Sequence, residues 1–406
     1  MPSALPDGEP APADGSLPEA ALATFGKRPF GIYVHVPFCT VRCGYCDFNT
    51  YTASELGGGV SRSSYAESAI AEIRLARTVL GEHDVPVKTV FLGGGTPTLL
   101  PPHDLTRIIA AVREEFGLVD GVEITTEANP ESVSAANLEA LCAGGFNRVS
   151  FGMQSAVRSV LRVLDRTHDP ERVPQVVDWA RAAGVEQVSI DLIYGTPGES
   201  LAHWQTSLQS ALSCEPDHVS AYALIVEEGT ALARQVHHGE VPMTDDDDLA
   251  DKYLAADQTL AKAGLEWYEV SNWARDEAAR CRHNELYWTG GDWWGIGPGA
   301  HSHVGGVRWW NVRHPSAYAG RIGKGVSPAY AREVLDEETR RIERVLLEIR
   351  LRDGLAVGVL CPEGRAQLPG LVERALVDRD ALEEGRVVLT QNGRLLADAV
   401  VRDLLP

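Results

Sequence analysis

The sequence predicts an α/β protein built on an open, partial (β/α)6 barrel with a small C-terminal α+β module. Three observations predict it. Six short β-rich runs alternate with amphipathic stretches between residues 30 and 225, several of those stretches end in glycine, and the alternation stops after residue 226. Sequential strand–helix units imply a parallel sheet with right-handed crossovers, and six units fall short of the eight that close a full barrel.

In chain order, residues 1–28 are rich in Pro, Ala, Asp and Gly and predict a disordered tail. The barrel follows over 29–264. Its strands are expected at 31–36, 88–92, 122–128, 148–153, 187–193 and 218–225. Apolar residues at helical spacing predict helices between them, such as SSYAESAIAEIRLARTVL and HDLTRIIAAVREEF. DDDDLADKYLAADQTLAKAG predicts a helix whose aspartates sit at the positive end of its dipole, which explains the acid run better than a metal site does. Residues 265–330 are aromatic, Gly-rich and too irregular for another βα unit. The module at 331–406 opens with the helix ETRRIERVLLEIRL and ends in RVVLTQNGRLLAD, an expected hairpin turning at Asn392–Gly393 in a winged-helix-like arrangement.

Composition excludes several functions. Hydrophobic content is 44% and net charge is −20, from 37 basic and 57 acidic residues, which disfavours nucleic acid and anionic lipid as partners. No apolar run reaches the ~20 residues of a membrane span. The N-terminus has neither a basic nor an apolar leader region, so the expected location is the cytoplasm.

The stretch YVHVPFCTVRCGYCDF carries the chemistry. Its Cys39, Cys43 and Cys46 have the spacing C-x3-C-x2-C. Three soft thiolates on one loop suit three irons of a [4Fe–4S] cluster, leaving a fourth open to an exchangeable ligand. Zinc fits less well, because a fourth ligand at finger or ribbon spacing is missing. From spacing alone, redox thiols stay open as the alternative. Cys142, Cys214 and Cys361 read as small buried hydrophobes.

Reactive residues of parallel barrels lie where strands end. The unusual residues fall there: the cysteine loop, then GGGTPT (93–98), Glu127 in TEANP, Gln154 in FGMQS and Asp191 in DLIYGTPGE. Individually, the glycines could simply make a turn, Arg166 could be a surface cation and Asp191 a turn former.

YVHVPFC, FLGGGTPT, EANP, GMQS, LDRTH and DLIYGTPGE resemble the radical S-adenosylmethionine (SAM) superfamily, and within it the HemN/HemW group. The similarity runs from residue 30 to the C-terminus. It implies a [4Fe–4S] cluster on Cys39, Cys43 and Cys46 with SAM on the open iron. It further implies SAM contacts from Tyr33, Tyr45, Gly94, Gly95, Thr96, Glu127, Gln154, Arg166 and Asp191. Arg166 would pair with a carboxylate through its guanidinium fork.

The group divides into haem chaperones and porphyrinogen decarboxylases. The decarboxylase branch has a fourth cysteine two residues after the third, where this chain has Phe48. CRHNELYW (281–288) resembles the group's HNxxYW haem motif, which implies haem contact by His283, Tyr287 and Trp288. Imidazole is a common haem ligand, and seven of the nine tryptophans lie between 267 and 310. Taken without the resemblance, a histidine beside Trp and Tyr is a packing residue, and the aromatics are a core. Cys281 reads as a buried thiol, and His301 and His303 as lining the junction with the C-terminal module. The resemblance thus implies a haem chaperone that hands haem to an acceptor haemoprotein, with a respiratory protein as the expected acceptor. Porphyrinogen decarboxylation is the alternative, and homodimerisation is left open.

Overall fold

The computed structural model describes residues 8–56 and 62–405. A two-residue strand, β1 (Glu9–Pro10), comes first. The barrel strands follow as β2 (Phe30–Val36), β3 (Val87–Gly94), β4 (Leu118–Ala128), β5 (Arg148–Gln154), β6 (Gln187–Tyr194) and β7 (His218–Ala223). They pair in parallel in that order, each beside its sequence neighbour, as six strand–helix units require.

Strand alternation separates a packed outer face from a hollow inner one. On β2, Ile32, Val34 and Val36 are buried against Ala66, Ala69, Ile73 and Ala76 of the helix Arg62–Leu80. A second cluster joins Val149, Phe151 and Met153 of β5 to Val173, Val176 and Ala180 of the helix Arg172–Ala182. Burying each Val, Ile, Phe or Met among them contributes roughly 1.5–3 kcal/mol. Facing inward are Thr125, Ser150, Ser189 and Ser220, too small to fill the barrel. The space they leave is the site.

The sheet continues beyond the barrel on both sides, to thirteen strands. Past β7 lie β8 (Glu266–Glu269) and β9 (Asn272–Ala274), with β9 antiparallel to β7. Beyond β2 lies β10 (Asp292–Ile296), parallel to it. Then come β11 (His301–Val304), β12 (Val307–Asn311) and β13 (Ala329–Val334), all antiparallel. Residues 265–330, expected to be irregular, therefore extend the sheet. His301 and His303 lie within this extension, whose next strand reaches the C-terminal module through the Arg308–Glu343 ion pair; His303 Nδ1 lies 3.0 Å from the Gly291 carbonyl.

The tail expected to be disordered is ordered over its described part, residues 8–28; residues 1–7 lie outside the described residues. β1 pairs with β13, Ala21 and Phe25 are buried, and Phe25 meets Phe30 edge-on at 5.0 Å. Composition alone gives this segment no core, but the edge of β13 and the apolar surface beside it supply one.

The C-terminal module has its own core, including Val345, Ile349, Leu368, Val400 and Leu404. It carries a small sheet of β14 (Leu355–Ala356) and β15 (Arg386–Val387). The expected turn at Asn392–Gly393 is instead the helix Gln391–Leu395, because the Thr390 side chain caps it by accepting from the Gly393 amide at 3.0 Å. The aspartate run behaves as expected: Asp245 caps the helix Asp246–Lys262.

Candidate cofactor site

A cavity of about 560 Å³ fills the partial barrel and is lined by inward residues of all six parallel strands. Its mouth lies at their C-terminal ends, under the cysteine loop.

That loop is fixed at several points. Cys39 donates its amide to the Tyr51 carbonyl at 3.0 Å, and the Leu232 amide donates to Gly44 O at 2.9 Å. Tyr45 packs on a small cluster containing Val160, Leu164, Leu224 and Leu232. Beyond the loop, Asn49 Nδ2 donates to the carbonyls of Pro298 at 3.0 Å and Arg313 at 2.8 Å. The added strands thus brace the loop from behind.

Cys39, Cys43 and Cys46 are free thiols, each partly exposed to the cavity. Burial pushes the Cys39 thiol up and that of Cys46 up to about 11, and the closeness of the Cys43 sulfur adds to both. Such thiols stay protonated until a metal displaces the proton. Among the described residues no three ligating side chains converge on one point, as a mononuclear ion would need. A cubane spreads its thiolates over three irons, so this donor set fits a cluster better than zinc.

Beside the loop lies the glycine shelf at the end of β3. Gly94 has φ +103°, and a side chain there would collide with the His35 ring, 2.5 Å from its Cβ position. At Gly95 a Cβ would lie 2.5 Å from the Phe38 carbonyl oxygen. Only glycines bring backbone this near to the loop. Glu127 Oε2 accepts from the Gly94 amide at 3.1 Å, and burial raises this carboxyl to about 8, with Asp191 adding to the rise. Thr96 accepts from Asn129 Nδ2 at 3.1 Å.

Arg166 ties three parts together. Its Nη1 lies 3.6 Å from Cys43 Sγ, and its Nη2 donates to Asn129 Oδ1 at 2.9 Å and the Gly152 carbonyl at 2.8 Å. Its Nε is buried and has no hydrogen-bond partner among the described residues. Gln154 ends β5 with φ +61°, an uncommon conformation for a residue other than glycine and one that often marks a functional position. Asp191 lies deeper, with the Ser150 hydroxyl 2.8 Å from both its oxygens. Tyr33 lines the same wall, its hydroxyl 3.0 Å from His35 Nδ1.

The structure therefore gathers the three cysteines and Tyr33, Tyr45, Gly94, Gly95, Thr96, Glu127, Gln154, Arg166 and Asp191 around one cavity. It adds Asn129 to the lining and sets His35 behind Tyr33 and Gly94; sequence reasoning passed over both, although Asn129 stands inside the EANP motif.

The 281–288 segment meets the same cavity from its far end, through Cys281, His283, Asn284 and Tyr287. Its helix Arg282–Trp288 closes the opposite end of the barrel, where His283 donates its amide to Glu123 and its Nδ1 lies 2.8 Å from Thr89 Oγ1. His283 Nε2 lies 2.8 Å from the Tyr287 hydroxyl, and its ring stacks on Phe91 at 5.2 Å. Both nitrogens are engaged and the residue is 1% exposed, so the free imidazole expected for haem iron is not present in this arrangement. Tyr287 lines the cavity floor, whereas Trp288 does not reach it. Cys281 is buried, as expected.

The radical SAM superfamily model matches residues 33–211. Over 385 residues the chain is 48% identical to the heme chaperone HemW of Mycobacterium tuberculosis (strain ATCC 25618 / H37Rv), covering 95% of this chain and 97% of that one. The chain belongs to the HemW family of radical SAM proteins. To HemW of Bacillus subtilis (strain 168) it is 33% identical over 377 residues, covering 91% and 97% of the two chains. Among solved structures, coproporphyrinogen III oxidase (HemN) of Escherichia coli superposes with a TM-score of 0.81 at 24% identity, over 97% of this chain and 94% of that one, which shows the shared fold. Membership of the radical SAM superfamily implies a [4Fe–4S] cluster and SAM, and the thiols, glycine shelf and Glu127 fit both. Among the described residues, no helix is long and apolar enough to cross a membrane.

Proposed function

We propose that this chain is a cytoplasmic haem chaperone, which binds haem and hands it to an acceptor haemoprotein. The observation that carries this reading is the 48% identity to a protein named heme chaperone over nearly the whole of both chains. Phe48 at the fourth-cysteine position supports it against porphyrinogen decarboxylation.

In this reading Cys39, Cys43 and Cys46 hold the cluster. Gly94, Gly95, Thr96 and Glu127 receive the methionine part of SAM, Gln154 and Asp191 its ribose side, and Tyr33, Tyr45 and Arg166 frame it. When bound, a cluster of this kind supplies an electron to SAM. His283 and Tyr287 form the cavity's floor, with the His283 ring nitrogens beside the Thr89 and Tyr287 hydroxyls.

The test is haem transfer. Protein with its cluster reconstituted anaerobically is loaded with haemin and mixed with apomyoglobin, and the Soret band of holomyoglobin is followed. Transfer faster than from free haemin supports the reading. Absence of saturable haemin binding, or release of carbon dioxide from coproporphyrinogen III, overturns it.

A further inference from the structure

Four large apolar side chains stand exposed around the mouth of the barrel cavity: Phe48 (59%), Val41 (48%), Ile225 (66%) and Tyr222 (42%). Exposed apolar residues scattered singly need no explanation, but a ring of them around one opening does. Val41 and Phe48 lie on the cysteine loop, while Tyr222 and Ile225 lie at the end of β7 and just beyond. The two pairs share a rigid frame, because the Leu232 amide bonds Gly44 O at 2.9 Å and Tyr45 packs beside Leu224. Deeper in the cavity Thr125, Ser150, Ser189, Ser220, Glu127 and Asp191 share the walls with Tyr33 and Phe91, so exposed side chains that are all apolar mark the rim.

The rim also has a distribution of charge. Arg42 is its exposed cation, beside Glu55 at 3.5 Å. The acids Asp47 and Glu227 line the same opening, so a ligand's carboxylates would turn toward Arg42. Four side chains are far less than the roughly 1,200–2,000 Å² of a stable protein interface, and suit one face of a flat macrocycle.

We propose that this rim is the platform for haem. One porphyrin face would lie on Phe48, Val41, Tyr222 and Ile225, with a propionate at Arg42 and no axial ligand from His283. The inference rests on the haem-chaperone reading and gives it a place. It also gives Phe48 a positive role at the position where the other branch carries a thiol.

The test titrates haemin and metal-free protoporphyrin IX into the full chain with its cluster reconstituted, comparing wild type, Phe48→Ser, Ile225→Ser and the double variant. Tyr330→Ser, exposed on β13, is the control. Both tetrapyrroles should bind wild type with similar affinity. Each rim substitution should weaken them about tenfold and the double variant about a hundredfold, in line with the transfer of large apolar groups. Iron and sulfide content should stay unchanged, and Ile225→Ser keeps the test valid if Phe48→Ser disturbs the cluster. Undiminished haemin binding by the double variant overturns the proposal, as does binding of haemin but not of the metal-free ring. Unchanged haemin affinity with lost transfer to apomyoglobin also overturns it, by making the rim a protein-docking surface. If wild type binds neither tetrapyrrole, the chaperone reading itself falls.

Discussion

Glu127 accepts the Gly94 amide at 3.1 Å, which makes the carboxyl and the glycine shelf one binding unit. Burial raises that carboxyl to about 8, so with the cavity free of ligand it is mostly protonated at neutral pH. SAM carries a permanent cation in its sulfonium, and a cation brought into the cavity favours the ionised form. Binding SAM therefore expels a proton, and affinity should rise between pH 6 and 7.5 by up to about tenfold per unit. Calorimetric titration of SAM into cluster-reconstituted protein, in buffers of different ionisation enthalpy, measures the released proton. Glu127→Gln should flatten the profile; an unchanged slope in that variant would place the proton elsewhere.

The close approach at Gly95 makes a sharper structural prediction. A methyl group there would lie 2.5 Å from Phe38 O and 2.9 Å from Val36 O, both backbone atoms that cannot swing aside. Gly95→Ala should push the shelf off the loop and weaken SAM binding more than tenfold. Gly358→Ala, which meets nothing within 4 Å among the described residues, should bind SAM as wild type does. Equal SAM affinity in the two variants would mean the shelf does not hold the ligand.

Much of this was legible from sequence because it is local. Val149, Phe151 and Met153 alternate with Ser150 and Gly152 along β5, and the pattern gives both strand and facing. The cysteine and glycine motifs each lie just after a strand, so the topology brings them together. What escaped depends on distant partners. Glu9–Pro10 becomes a strand only because β13 presents an edge to it. The strands β9 to β12 are three to five residues long, with Trp293 and Trp294 adjacent, so no period-two pattern forms. His283 could not be placed, because Thr89, which fixes it, lies 194 residues away in sequence.

Arg166 spans the cluster loop and the strand ends, with Nη1 3.6 Å from Cys43 Sγ and Nη2 on Asn129 and Gly152. Lysine keeps the charge but loses the fork. Arg166→Lys should therefore retain iron and sulfide, since all three thiols remain, yet bind SAM about tenfold more weakly. Loss of the cluster in this variant would make Arg166 a support of Cys43 alone.

The buried titratable groups predict how stability changes with pH before metal and SAM are added. Burial lowers His35, His168 and His303 to about 4 and His283 to about 3, against an ordinary 6.5. Because the unfolded chain protonates these rings first, their contribution is present above pH 6.5 and is lost as pH falls toward 4. Burial raises Glu72 and Glu199 to about 7 and Glu127 and Glu269 to about 8, against an ordinary 4.5. Their contribution is present below pH 4.5 and is lost as pH rises toward 7 or 8. Between pH 4.5 and 6.5 the two sets oppose each other and largely cancel. From pH 6.5 to 8 only the glutamates act, each at up to about 1.4 kcal/mol per unit. Thermal unfolding of the metal-free protein should therefore show a Tm several degrees higher at pH 6.5 than at pH 8. An equal or higher Tm at pH 8 would mean that these carboxyls are ionised in the folded protein, and the proton release assigned to Glu127 would fall with them.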